Sequence, residues 1–276
     1  MEIRMSKEAD YGNWVPAAMM KTLWSATAAM CVVTLLLFIL LKTKIPGIIM
    51  LIVTIAALCM TIYMQRCRYL FDFNGGGVMG DVHQFLIDHF PWESSRNEMG
   101  VSDGRGLILD IGCGAAALTN RVAKTYRNAQ MISMDYWGTE WSYAKEQCEK
   151  NARLENVADR ITFQKGDAAK LDFEDAKFDG AVSNFVFHEV RSARDKRDVV
   201  REALRVIKPG GAFAFQDMFG QKQVYGDMEE FIRKLQEENL VREIHYIDCI
   251  EKKIPIPAFV TAPWMIKDAG LIYGIR

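Results

Sequence analysis

The chain has 276 residues, half of them hydrophobic, and a formal net charge of −1. That length suits one domain with an appendage rather than two large domains. The charge is unevenly placed, +4 before Leu70 and −5 after it, and an acidic domain without clustered Lys and Arg is a poor partner for nucleic acid. The six cysteines, Cys31, Cys59, Cys67, Cys113, Cys148 and Cys249, form no CxxC pair and no regular spacing. No disulfide framework and no metal site are expected from them, and a reducing compartment is the natural setting.

A leading segment, residues 1–22, precedes two stretches without a charged residue, 23–41 and 45–64. At 1.5 Å rise per residue each spans roughly 28–30 Å, the thickness of a bilayer's hydrocarbon core. Lys42, Thr43 and Lys44 separate them, and Pro46 and Gly47 open the second. The pattern predicts a transmembrane hairpin over 23–66, with its lysines at one interface and Trp14, Trp24 and Tyr63 near the ends. A signal peptide has a shorter apolar core and no second span. Arg4, Lys7, Lys21, Arg66 and Arg68 outnumber the turn lysines, so the positive-inside bias puts both ends of the hairpin, and the domain after it, in the cytoplasm.

Residues 67–106 form a connecting region. Asn74, Gly75, Gly76, Gly77, Val78, Met79 and Gly80 hold four glycines in seven positions, a composition that resists regular structure and lets backbone approach a ligand closely. Both a flexible linker and a lid over a pocket fit it, with Met79 facing the substrate in the second case. An amphipathic stretch follows over 82–90, then a surface loop over 94–106.

From residue 107 onward short apolar runs alternate with helical patterns. Strands are predicted at 107–109, 131–134, 161–163, 180–182, 212–215, 243–247 and 271–275, and helices at 118–126, 144–154, 199–207 and 228–240. The order predicts an α/β domain, a doubly wound, mainly parallel, seven-stranded sheet. The basic run Arg191, Arg194, Lys196, Arg197, Arg201 and Arg205 is interleaved with Asp195, Asp198 and Glu202, as on a solvated helix face.

The chemistry is concentrated at strand ends. The first strand runs into Asp110, Ile111, Gly112, Cys113, Gly114 and then Ala115, Ala116 and Ala117, a glycine turn entering a helix. Asp135 ends the second strand, where an acid can accept from two ribose hydroxyls, and Tyr136 and Trp137 follow it. Gly166, Asp167 and Ala168 end the third strand; Ser183, Asn184, Phe187 and His188 follow the fourth; Lys208, Pro209, Gly210 and Gly211 lead into the fifth. A glycine turn with a downstream acid also suits a dinucleotide.

The acid before the first glycine, and all these motifs in order over residues 107–217, resemble the class I methyltransferases that use S-adenosyl-L-methionine (SAM), and among them the ubiquinone and menaquinone type. The resemblance implies that Asp110 and the turn at Gly112, Cys113 and Gly114 border the methionine and ribose portions of SAM. It implies that Asp135 holds the ribose, with Tyr136 and Trp137 beside it, and that Gly166, Asp167 and Ala168 clamp the adenine. Asn184 lies where cofactor and substrate meet, and Phe187 faces the substrate. The family's third glycine is replaced by Ala116, harmless only if φ there is negative. Methyl transfer needs alignment and exclusion of water, and a base only for a protonated nucleophile; His188 is the candidate, with a structural cap as its other reading. No cofactor motif lies in residues 1–66, so that part is expected to be dispensable for binding. The expected protein is a membrane-anchored methyltransferase of a small lipophilic acceptor. A SAM-binding sensor or scaffold without catalysis, and an NAD(P)-dependent reductase, remain open.

Overall fold

The structure, a computed structural model, describes residues 8–92, 104–138, 145–262 and 265–276. Arg4, Lys7, residues 94–103 of the expected loop and Ala144 lie outside them. The chain divides into two compact units: Gly12–Gly80, and Asp81–Arg276 together with the described residues up to Tyr11.

In the first unit, helix α1 (Ala17–Leu40) and helix α2 (Ile45–Phe71) form a hairpin. Pro46 sits in the first turn of α2, where its missing N–H costs nothing. Gly47 lets the Phe38 ring approach to where a Cβ would be only 2.9 Å away. Lys44 Nζ donates to the carbonyls of Phe38 (2.6 Å) and Leu41 (3.4 Å), so the turn lysine satisfies main-chain groups at the end of α1. The polarity of the pair is inverted relative to a soluble bundle. Leu35, Ile39, Ile48, Ile52 and Ile55 are exposed, whereas Thr27, Thr34, Thr54 and Thr61 are buried. The threonine hydroxyls pair across the seam, Thr27 with Thr61 and Thr34 with Thr54, each at 2.9 Å. Small polar residues inside and aliphatic ones outside are what helices in lipid require.

Helix α2 continues to Phe71, past the expected end, because Arg66 and Arg68 lie within a regular helical register. The glycine-rich segment then terminates it. Gly76 N–H donates to Tyr69 O at 2.7 Å and Gly77 N–H to Asp72 O at 3.2 Å, and a Cβ on Gly76 would fall 2.6 Å from Leu70 Cα. Asn74, Gly75, Gly76 and Gly77 therefore form a tight hydrogen-bonded turn at the end of α2. Met79 and Gly80 lie in the first turn of helix α3 (Val78–His89), which starts earlier than the pattern suggested.

The second unit is built on a seven-stranded sheet: β1 (Gly106–Ile111), β2 (Ala129–Asp135), β3 (Ile161–Lys165), β4 (Phe178–Asn184), β5 (Ile207–Asp217), β6 (Glu243–Ile247) and β7 (Gly270–Ile275). The order is β3-β2-β1-β4-β5-β7-β6, with β7 antiparallel to both neighbours and all other pairs parallel. The expected doubly wound architecture is present. Helices α4 (Ala117–Thr125), α5 (Lys145–Leu154), α6 (Lys196–Arg205), α7 (Lys222–Tyr225) and α8 (Met228–Glu237) connect the strands. Apolar faces of α6 and α8, Val199, Val200, Leu204, Phe231 and Leu235, pack with Phe178, Phe213 and Phe215 into the core. The basic residues of α6 are paired, mostly across the fold rather than along the helix: Arg201 with Glu238, and Arg205 with Asp175 and, three positions back, Glu202. Because β1, β4 and β5 are parallel, their carboxyl ends bring three loops to one sheet edge, the crevice in which open α/β sheets bind ligands.

Candidate active site

The first of those loops is the glycine turn. Gly112 has φ +77°, and a Cβ there would lie 2.2 Å from the Val186 side chain, so only glycine fits. Its N–H and that of Cys113 donate to Met134 O at 2.8 and 2.9 Å, and the Gly114 N–H donates to Asp135 Oδ2 at 2.8 Å. These donors are committed to β2, and the volume that the missing Gly112 side chain leaves is filled by Val186. Ala116 has φ +69°, the unfavourable case for the missing third glycine. A non-glycine residue held there costs about 1–2 kcal/mol. Burial and a hydrogen bond with Cys148 raise the Cys113 thiol well above its usual range, which leaves it unreactive.

Asp110 is 1% exposed and accepts from the Thr119 hydroxyl, tying β1 to α4. Burial pushes its pKa up to about 7; the Thr119 bond opposes the rise and the charge of Asp135 adds to it. Asp110 is expected to border the cofactor; its Oδ2 is engaged by Thr119. Asp135 instead lies at the β2 tip, with Oδ1 accepting from Trp137 N–H at 2.9 Å and Oδ2 from Gly114. Each carboxylate oxygen has a second lone pair, so ribose hydroxyls can share it. Trp137 turns back, its Nε1–H donating to Gly114 O at 3.1 Å, while Tyr136 is exposed with Lys165 Nζ 5.2 Å from its ring centre. At the β3 tip, Gly166 N–H donates to Asp135 O and Asp167 Oδ1 accepts from Ala169 N–H and the Ser192 hydroxyl. A side chain on Gly166 would press on Met134 at 2.7 Å. Ala168 is buried beside it.

The second and third loops carry the acid–base pair. His188 sits in a single 3-10 turn after β4, and its Nδ1 lies 2.6 Å from Asp217 Oδ1 at the end of β5. Asp217 is 1% exposed and also accepts from the N–H groups of Met218 (2.6 Å), Phe187 (2.7 Å) and His188 (3.4 Å). Burial opposes ionisation of the imidazole, yet the Asp217 bond and charge hold its pKa above the ordinary histidine value. Fixing a proton on Nδ1 leaves Nε2 as the acceptor. Asn184 Nδ2 bonds His83 Nε2 at 3.2 Å, and its Oδ1 accepts from Gln216 at 2.9 Å. Burial drives His83 down to about 3, so that ring is neutral. Phe187, expected at the substrate, is fully buried against Phe215, because the turn that presents His188 faces it inward.

Sequence reasoning missed Asp217, although an acid ending an apolar strand is the same signal that marked Asp110 and Asp135. It also missed a contact from before the hairpin. Asn151 on α5 donates to Asp10 O (2.7 Å) and Ala115 O (2.9 Å), and Tyr11 OH donates to Glu155 Oε1 at 2.8 Å. Residues 1–66 are expected to be dispensable for cofactor binding, yet the Asn151 amide joins Asp10 to Ala115 of the glycine turn, and Tyr11 is held by Glu155 and Asn120.

The glycine turn at Gly112, the acid at the β2 tip and the tight tip at Gly166 follow in chain order at the carboxyl ends of β1, β2 and β3. The sheet order is that of the Rossmann-like methyltransferase fold. Residues 109–215 match the family model described as a methyltransferase domain. Among curated proteins the chain is similar to sterol 24-C-methyltransferase erg6 of Aspergillus fumigatus, 28% identical over 42% of this chain and 29% of that protein. O-methyltransferase rstn1 of Aspergillus nomiae is 29% identical over 58% of this chain and 70% of that protein. A solved geranyl diphosphate methyltransferase in complex with SAM shares the fold, with TM-score 0.51 and 14% identity over 80% of this chain and 89% of that one. The chain spans 26–39% of the length of the sterol methyltransferases it matches.

Proposed function

We propose that this protein is a membrane-held methyltransferase that transfers the methyl group of SAM to a small, lipophilic acceptor, with its catalytic unit in the cytoplasm. The observation that carries the reading is the shared sheet edge: the glycine turn with Asp135 after β1 and β2, and the His188–Asp217 pair after β4 and β5. Bound SAM supplies an activated methyl group and asks only for alignment, dryness and, for a protonated nucleophile, a base. Asp135 orients the ribose, the turn from Gly112 to Gly114 borders the methionine arm, and Gly166 to Ala168 receive the adenine. His188 Nε2 takes the proton of an acceptor hydroxyl or thiol, and Asp217 stabilises the imidazolium that results. The pair favours catalysis over a sensor, since reading cofactor levels needs no poised base.

The hairpin supports the membrane half of the proposal. Both helices are long and apolar enough to cross a bilayer, and only 11% and 17% of their apolar windows are buried, unlike core helices of a soluble protein. The sterol methyltransferases it resembles carry a lipophilic substrate in their names, which supports an acceptor drawn from the bilayer.

Calorimetry with SAM, S-adenosylhomocysteine and NAD tests the cofactor. Asp135→Ala is expected to weaken SAM by about 1.5–3 kcal/mol, roughly tenfold to more than a hundredfold; unchanged affinity in a folded variant removes the ribose role. Turnover of matched polar and apolar acceptors in nanodiscs and in detergent tests delivery. A preference ratio independent of the bilayer reduces the hairpin to an anchor.

A further inference from the structure

A second cluster of ligating side chains stands at the far end of the same sheet edge. Cys249 lies just after β6, Asp268 just before β7, and the pairing of Ile247 with Leu271 brings the two connections together. Glu251 lies in the 3-10 turn after Cys249. The Cys249 sulfur and one carboxylate oxygen each from Glu251 and Asp268 all lie within 4.8 Å of one another. Neighbouring Asp217 pairs with Gly270, so the cluster is one strand removed from the end of β5.

Proximity of acids alone would say little. Glu251, however, is 7% exposed, and its Oε2 is buried with no hydrogen-bond partner. Only Oε1 is engaged, accepting from Asp268 N–H at 3.2 Å. Among the described residues neither Glu251 nor Asp268 takes part in an ion pair. A buried carboxylate oxygen without a donor is costly and calls for a positive charge or a proton. The ligating groups gathered around it are a thiol and a second acid; Lys252 bears on the Cys249 thiol, but no donor reaches Glu251 Oε2.

We infer that Cys249, Glu251 and Asp268 form a binding site for a divalent cation of the zinc type. The ligand set selects the class: a thiolate disfavours calcium and magnesium, which take oxygen ligands, and suits a borderline metal. In a tetrahedral zinc site such ligand atoms stand about 3.5 Å apart, so closing the site asks movements of roughly 1 Å from three side chains. Three protein ligands leave a fourth position for water. The ion ties the residues after β6 to those before β7, fixing the connection beside the acceptor edge. This reading stands whether or not the chain methylates a lipid.

The test uses the full chain in detergent, stripped with a chelator and titrated with Co²⁺, then with Zn²⁺ in competition. One equivalent of Co²⁺ is expected to bind with a thiolate-to-cobalt charge-transfer band that Zn²⁺ abolishes. Cys249→Ser removes the band. Glu251→Gln weakens binding by no less than the roughly tenfold to hundredfold that even outer partners of a metal contribute. SAM binding by each variant reports that it is folded. The inference is overturned by a stripped parent that shows no band, by a band surviving in Cys249→Ser, or by parent-like affinity in Glu251→Gln. Should Cys249→Ser not fold, Glu251→Gln decides alone.

Discussion

Replacing Asp217 with Asn separates a catalytic dyad from a helix cap. The buried carboxylate accepts from His188 Nδ1 and Met218 N–H through Oδ1, and from Phe187 N–H through Oδ2. An amide keeps one acceptor oxygen and turns an NH₂ toward the donors on the other side. At least one buried N–H loses its partner, a cost of about 1–3 kcal/mol in stability. The catalytic effect is separate. Loss of the carboxylate charge lowers the His188 pKa and frees the ring to take either tautomer. A general base works only when neutral, so activity on a phenolic acceptor rises with pH through the His188 pKa. In Asp217→Asn that rise moves to lower pH while the plateau falls. His188→Ala, which removes the base, is expected to lose roughly a hundredfold to ten-thousandfold in kcat with SAM affinity unchanged. The sign for stability runs the other way: the folded pKa is raised, so the pair's contribution is complete below the unfolded value of about 6.5 and is lost as pH climbs through the folded one. The assay is kcat against pH for parent and both variants, with thermal unfolding at two pH values. A parent-like profile in Asp217→Asn would refute the dyad.

Three further outcomes follow from the same geometry. Ala116→Gly relieves a left-handed residue at a cost in unfolded-chain entropy, for a net gain of about 0.5 kcal/mol, or roughly 1–2 °C in Tm by calorimetry. A decrease would mean that the Ala116 methyl packs more favourably than its backbone is strained. Asp110 has a folded pKa raised to about 7, so ionisation destabilises the fold as pH rises above the unfolded value near 4. Asp110→Asn should therefore gain stability relative to parent between pH 5 and 8, by about 1 kcal/mol or more, and retain SAM affinity; a large affinity loss in calorimetry would return Asp110 to the cofactor. In the hairpin, Thr34→Val leaves Thr54 without its cross-helix partner, at about 0.6 kcal/mol, measurable by unfolding in mixed micelles. No change there would leave the helix contact to packing alone.

Much of this protein was readable locally. Two uncharged runs of helical length, the glycines of the turn after β1 and the acids at strand tips are properties of neighbouring residues, and periodicity carries them without a fold. The boundaries it missed were helical ones: α2 runs through Arg66 and Arg68, since a helix end is set by its cap at Gly76 and Gly77 rather than by polarity. Similarly, a cluster of glycines does not say whether it frees the chain or stops a helix. Tertiary structure alone decided the rest. Asp217 reaches His188 only because β4 and β5 pair in parallel, and Asp110 is buried and tied to Thr119 of α4 only in the folded chain. Cys249 meets Asp268 only because β6 and β7 run antiparallel. Residues far apart in sequence are joined by register, and register is fixed by the whole buried sheet.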